Sequence, residues 1–355
     1  MRLIPFAAIA LGTLGAAIAD DPAKTPTYQL VSPLNEGITA TGLNDRGDVV
    51  GFHWEPEGGN PDILYEAPFF ARGKTMTRLP LLEGYTATFP AAVSDDGLVV
   101  GRVAKPAPPG VRVHLRNQAF VWDAEKGIRG LGAPEGYVSS FATGVSRDGR
   151  RISGFLLGDR LLQGCLWERA DDGEGWTAVI LPDADDLGSN VMAISPDGKR
   201  LAAVQKLLPS LWTENEPGVW TREALADEPG SLLPRGVNDA GVVVGHREDG
   251  RGYTHAMIWT REDGLKPIPE PEGFAGSRAE AINNAGAVVG LIDGPRGTEV
   301  GPRAFVFEKG RLRTLDECGP DLVWATAIND KGQVAGVVET EEGEDQDQGE
   351  AEPKS

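Results

Sequence analysis

One hairpin motif, written seven times, constrains this chain more than any other feature. It consists of a small residue, an apolar residue, Asn or Ser, two variable positions and Gly, followed by a β-branched strand that ends on a small residue. The first copy reads Gly42-Leu43-Asn44-Asp45-Arg46-Gly47 into Val49-Val50-Gly51, and the second Ala92-Val93-Ser94-Asp95-Asp96-Gly97 into Val99-Val100-Gly101. Five further copies are centred on Ser146, Ser195, Asn238, Asn283 and Asn329, and successive turn glycines lie 43 to 52 residues apart. The chemistry is that of a β-hairpin: the Asn or Ser side chain bonds the turn backbone, and glycine adopts the positive φ that the turn needs. The β-branched residues after it suit the returning strand. Small residues two before and seven after the Asn or Ser mark places where neighbouring strands approach closely. Calcium loops are excluded by Arg147 and Pro196, which stand where other copies carry Asp.

Two more pieces follow each of the first six hairpins. An aromatic strand recurs as Pro68-Phe69-Phe70, Ala119-Phe120-Val121-Trp122, Cys165-Leu166-Trp167, Ser210-Leu211-Trp212, Ala256-Met257-Ile258-Trp259 and Ala304-Phe305-Val306-Phe307. A short strand ending in Leu or Ile comes next, as in Arg78-Leu79 or Leu312-Arg313-Thr314-Leu315. Four short strands in about 45 residues is the content of a propeller blade. The spacing predicts an all-β chain, a seven-bladed β-propeller over residues 28–339. Only six aromatic strands accompany the seven hairpins. The extra strand Tyr28-Gln29-Leu30-Val31-Ser32-Pro33-Leu34 is therefore expected to join the hairpin of Ala325 to Val338, closing the last blade and hiding both edges.

Residues 1–19 have the form of a signal peptide: Arg2, an apolar stretch from Leu3 to Ile18, and an Ala17-Ile18-Ala19 cleavage form. Residues 20–27 read as a short linker and 340–355 as an acidic, disordered tail. A secreted protein is expected, extracellular or periplasmic, monomeric and without membrane insertion after cleavage. The formal charge of -19 argues against nucleic acid as a partner, which needs clustered Lys and Arg. Cys165 and Cys318 could pair in such a compartment, and the spacing leaves that open. Neither the two cysteines nor the four histidines have metal-ligand spacing, so no metal and no cofactor is expected.

The run Ala-x-Ile-Asn-x-x-Gly-x-Val-Val-Gly with an Ala-Phe-x-Trp strand resembles the HAF family of extracellular repeats, named for a His-Ala-Phe tripeptide. Thr254-His255-Ala256-Met257-Ile258-Trp259 is the nearest copy, and Gln118, Gly164, Pro209 and Arg303 replace the histidine elsewhere. The hairpin Ser195-Pro196-Asp197-Gly198-Lys199-Arg200-Leu201 is also similar to that of periplasmic Tol-type propellers. Both resemblances imply an exported propeller, and neither implies catalytic residues.

Binding residues are sought where the copies differ. Counting back from the turn Asn or Ser, position −5 holds Thr39, Phe89, Phe141, Asn190, Leu233, Arg278 and Trp324. Position −3 holds Thr41, Ala91, Thr143, Met192, Arg235, Glu280 and Thr326, while the columns between stay small or apolar. Polar groups among aromatics are usual pocket content. Phe89, Phe141, Arg235, Arg278, Glu280 and Trp324 are therefore the candidate binding set at the channel mouth, with the loop aromatics Tyr85, Tyr137 and Phe274 as a second set. Ordinary blade packing with a surface ion pair is the plainer reading of the same residues. No nucleophile elbow, zinc helix, phosphate loop or dinucleotide fingerprint is present. The expected role is a binding or scaffold module for a protein or glycan. The alternative is a propeller hydrolase or lyase acting on a polysaccharide or small metabolite, with catalytic groups drawn from distant blades.

Overall fold

The computed structural model describes residues 6–8, 38–57, 60–105, 117–158, 162–173, 175–182, 188–316 and 322–339. Each of the first six hairpin motifs forms the two inner strands of a radial antiparallel sheet, followed by its aromatic strand and then its short outer strand. The first sheet comprises Ile38–Leu43, Val49–Glu57, Asn60–Arg72 and Thr75–Arg78. Five four-stranded sheets follow, with inner strands Ala87–Val93, Tyr137–Val145, Ser189–Ile194, Leu233–Val237 and Gly276–Ile282. The chain is an all-β, six-bladed propeller, and no α-helix occurs among the described residues.

The expected seventh blade does not form. The seventh hairpin, Leu322–Ile328 with Val334–Glu339, is carried in the sheet of the first blade through the pairing of Thr39 with Val337. It is wedged between the sixth and first blades. Leu322, Ala325, Ile328 and Val334 pack on Val289, Val306 and Leu315. Ala327 and Ala335 pack on Ile38, Ala40 and Phe69. The physical reason is the missing aromatic strand: a blade needs one to cover the face of its neighbour, and the chain carries six. Counting hairpins thus overstates the blades by one. The edge of Val334–Glu339 is paired with Phe6–Ala8, at Phe6 with Glu339 and Ala8 with Gly336. Residues 28–34, expected at this closure, lie outside the described residues, as do most of the signal segment, the linker and the acidic tail.

The core lies in the seams between blades. Phe69, Phe120, Trp167 and Phe305 are fully buried there, joined by Trp122, Trp212 and Trp259. Each such side chain contributes roughly 2–3 kcal/mol of apolar transfer. Cys165 is a free, buried thiol whose pKa is pushed up by burial, and Cys318 lies outside the described residues.

Every inner strand carries a β-bulge at the same place. Ala40 pairs with Gly51 and Gly42 with Val50, leaving Thr41 as the extra residue. The same shift leaves Ala91, Thr143, Met192, Arg235, Glu280 and Thr326 unpaired in the other six hairpins. Position −3 is thus the bulge residue throughout. The glycine across from the bulge is required by contact: a Cβ on Gly51 would lie 2.0 Å from the Thr39 carbonyl oxygen, and one on Gly290 would lie 1.8 Å from that of Arg278. A bulge frees one side chain from the pleat and re-aims it. Thr41, Thr143 and Thr326 spend that freedom bonding the next hairpin, through the carbonyls of Pro90 (3.1 Å), Val191 (3.1 Å) and Ala40 (2.9 Å).

Candidate functional site

The inner strands run between two different ends of the channel, and the sequence positions sort onto them. At one end lie the seven hairpin turns. Their Asn side chains tie turn to turn: Asn44 Nδ2 donates to the Ser94 carbonyl (2.8 Å), Asn238 to Asn283 (3.2 Å), Asn283 to Asn329 (3.0 Å) and Asn329 to Asn44 (2.8 Å). A second tier uses the following residue. The backbone N–H groups of Asp45, Asn284 and Asp330 donate to carboxylates of Asp95, Asp330 and Asp45, and that of Asp239 donates to the Asn284 side-chain carbonyl. Where Arg147 or Pro196 replaces the acid, a backbone carbonyl accepts instead, from Asp95 N–H (3.0 Å) and Arg147 N–H (2.8 Å).

Arg147 is the counter-charge of this acidic belt. Its Nε lies 2.8 Å from Asp45 Oδ2 and 3.9 Å from Asp95 Oδ2, and its Nη2 pairs with Asp330. Burial pulls the guanidinium toward losing its proton, but Asp330 and Asp45, with Asp239 behind them, hold its pKa above the usual range. Beneath it, Leu43, Val93, Val145, Ile194, Ile282 and Ile328 line a cavity of about 110 Å³. Ligand pockets commonly reach about 300–1,000 Å³. The turn end is narrow, with apolar side chains beneath a ring of Asn and Asp groups that Arg147 partly offsets. Its polar groups are spent on one another.

The other end, the rim, is formed by position −5 and the second-strand residues paired with it. Phe89 faces Arg102, whose guanidinium stands 4.0 Å from the ring centroid, and Phe52 meets Phe89 edge-on at 6.1 Å. Phe141 is stacked on Phe155 at 4.5 Å. Glu280, a buried bulge residue, accepts from Arg235 Nε at 2.7 Å across the seam between the fifth and sixth blades. Arg278 Nε donates to Thr254 Oγ1 (3.0 Å). His246 is half-buried, and burial, then Arg235 and Arg278, push its pKa down to about 4, so its ring is neutral at neutral pH. Asp293 is pushed up by burial, with Arg278 opposing. Three buried polar atoms here have no hydrogen-bond partner: Asn190 Oδ1, His246 Nδ1 and Trp324 Nε1. Between the first and second blades a cleft of about 500 Å³ opens beside Phe52, Phe89, Leu79 and Leu81, within the range of ligand pockets.

Of the six candidate residues, Arg235 and Glu280 are in direct contact, and Arg278 is their neighbour through His246. Phe89, Phe141 and Trp324 stand at other positions around the same rim. Tyr85, Tyr137 and Phe274 pack against seam clusters. Sequence reading missed Phe52, Arg102, Phe155 and His246. They were within reach of it, because a four-residue turn with one bulge places the residue eight or nine positions after the Asn or Ser opposite position −5. Among the described residues no group of three His, Cys, Asp or Glu side chains is arranged to hold a metal ion.

No family model and no curated protein matches the chain. Solved structures do. A puromycin hydrolase superposes with a TM-score of 0.51 at 14% identity, over 80% of this chain and 46% of its own. Prolyl oligopeptidase B from Galerina marginata superposes with a TM-score of 0.50 at 10% identity, over 86% of this chain and 43% of its own. The chain spans less than half the length of either enzyme. At such identities the likeness is one of fold alone.

Proposed function

We propose that the protein is a secreted binding module whose ligand sits on the rim of the channel. The observation that carries this reading is the contrast between the two ends. The turn end closes on itself, whereas the rim combines aromatic faces, guanidinium groups and the buried, unpartnered polar atoms of Asn190, His246 and Trp324. Leaving such atoms unpaired costs roughly 1–3 kcal/mol each, which a ligand recovers on binding. The leader-like segment and the HAF resemblance support export. A thermal-shift screen of glycans, peptides and metabolites tests the reading, since a ligand at about 100 times its Kd stabilises the native state by about 2.7 kcal/mol. Trp324→Ala and Arg278→Ala are expected to abolish the shift while leaving the unliganded midpoint within a few degrees. A ligand whose binding survives both substitutions overturns the assignment.

A hydrolase or lyase reading is favoured by one observation, the convergence of Arg235, Glu280, Arg278 and His246 on one side of the rim. Its requirement for a free base is poorly met, because Glu280 is held by Arg235. Turnover of a screened ligand that is lost in Glu280→Gln would carry it.

A further inference from the structure

The chain carries 53 acidic residues against 34 Lys and Arg, so a guanidinium at the rim has every statistical chance of a carboxylate partner. Arg102 and Arg278 have none at ion-pair distance among the described residues. The polar contact of Arg102 is the side-chain carbonyl of Asn117 at 2.9 Å, and its other neighbour is the Phe89 ring. The polar contact of Arg278 is Thr254 Oγ1, with Asp293 acting on it only at a distance. Elsewhere the chain does pair its partly buried arginines: Arg147 with Asp45 and Asp330, Arg151 with Glu214 and Glu168, Arg235 with Glu280. Arg102 is also the one arginine among the described residues whose pKa is displaced downward, by burial with no charge to offset it. A desolvated, uncompensated guanidinium is costly, and bidentate capture of a carboxylate is the interaction that offsets that cost best.

The two arginines are arranged along an arc. In ring order the second blade supplies Arg102 with Phe89, the first Phe52, the wedged hairpin Trp324, and the sixth blade Arg278. Trp324, whose buried indole N–H has no hydrogen-bond partner, therefore lies between the two cations in ring order. We propose that this arc is a carboxylate-recognition site that takes an extended peptide with several acidic side chains, Arg102 and Arg278 being its charged anchors. This rests on the rim being the ligand seat. A peptide suits it better than a uronate polymer, because the Phe89 face beside the anchor is already covered by the Arg102 guanidinium. One source of such a peptide is a partner protein. Another is residues 340–355 of the chain itself, which follow directly on Val334–Glu339; that strand leads from the turn end to the rim, where Val337 pairs with Trp324.

The test uses fluorescein-labelled hexaglutamate, read by anisotropy, against the full chain and against a chain ending at residue 339. Hexaglutamine and oligogalacturonate are the comparison probes. Hexaglutamate is expected to bind, hexaglutamine not to, and affinity to fall about tenfold or more in Arg102→Gln and in Arg278→Gln. Arg311→Gln, on an exposed outer strand, is expected to change nothing. A shortened chain that binds at least tenfold more tightly than the full chain assigns the site to residues 340–355, since a tethered competitor acts at high effective concentration. Equal affinity assigns it to a partner peptide. Absence of hexaglutamate binding in both chains, binding indifferent to both arginine substitutions, or preference for oligogalacturonate overturns the proposal. A rim ligand from the thermal-shift screen that is uncharged would overturn it too, while leaving the rim as the binding seat. Thermal midpoints of the variants within a few degrees of the parent separate lost recognition from lost fold.

Discussion

Replacing Arg147 by Ala removes the cation that bridges Asp45 and Asp330 in the acidic belt at the turn end. Two contacts are lost outright, to Asp45 and Asp330, and a weaker one to Asp95. The Arg147 side chain is 39% exposed and those of Asp45 and Asp330 20% and 24%, so the pairs must be valued near the surface scale. That gives about 0.5–1 kcal/mol per direct pair. Releasing the belt's carboxylates to repel one another adds about 1 kcal/mol at an effective dielectric constant of ~20 with physiological screening. The expected loss is about 2 kcal/mol at pH 7, or a fall of about 4 °C in midpoint for a body of this size. The contribution is coulombic, so it is present at low ionic strength and is lost as salt screens these partly exposed pairs. Thermal melts of the parent and Arg147→Ala at pH 7 should therefore converge as ionic strength is raised to about 1 M. Arg147→Lys should recover only part of the loss, because a point charge cannot span two carboxylates. A variant as stable as the parent at low salt, or a deficit of equal size at about 1 M salt, refutes the view that Arg147 holds the belt by charge.

Glu214 is buried under Arg151, at 2.8 Å and 2.5 Å, and the hydrogen bond from Arg151 is the first cause of its depressed pKa. Its contribution is present above the ordinary glutamate pKa and lost as pH falls through the depressed one, so Glu214→Gln should flatten the acid limb of the stability curve and cost about 2 kcal/mol at pH 7 by urea denaturation. His255 stands between Glu270 at 2.9 Å and Asp249 at 3.4 Å. Burial opposes its protonation, but the two acids together raise its pKa. That stabilisation is full below the ordinary histidine pKa and is lost as pH rises through the raised one. His255→Gln should therefore differ from the parent more at pH 5 than at pH 8, and an NMR titration midpoint at or below that of a free histidine would contradict it.

The all-β blade, the hairpin turns and the aromatic seams were legible because each rests on local chemistry. Positive φ at Gly47 or Gly97 and the Asn44 side chain bonding its own turn are properties of a few consecutive residues. Blade number was misjudged because a blade is defined by hydrogen bonding across the ring, and the pairing of Thr39 with Val337 joins residues from opposite ends of the chain. The six aromatic strands were the better count. Arg147 was read as an argument against calcium loops, which it is, but its positive task is visible only once Asp45 and Asp330 are brought round to it. The rim was half legible. The varying columns of the inner strand were found, whereas Arg102 and His246, on the paired strand, required a register that the bulge shifts by one.

The bulge also explains why variation is permitted where it is. Positions −4 and −2 are the paired residues that flank it, and their side chains or backbone lie against the next hairpin. A Cβ on Gly42 would meet the Ala92 Cα at 2.9 Å, and one on Gly144 would meet Ile194 at the same distance. The −2 column must therefore stay Gly or Ala in every copy, and the −4 column small or apolar. Position −3 is unpaired and position −5 lies at the rim, so neither is held by a neighbour in this way. Thr, Met, Arg and Glu are all accommodated at the bulge, and Phe, Asn, Leu, Arg and Trp at the rim. The same geometry that makes the repeat rigid therefore confines chemical diversity to one end of the channel. A ligand that distinguishes this chain from a bare repeat must meet it there, and exchanging Phe89 and Arg102 for the Leu233 and Val204 found at equivalent places should erase recognition without loosening the ring.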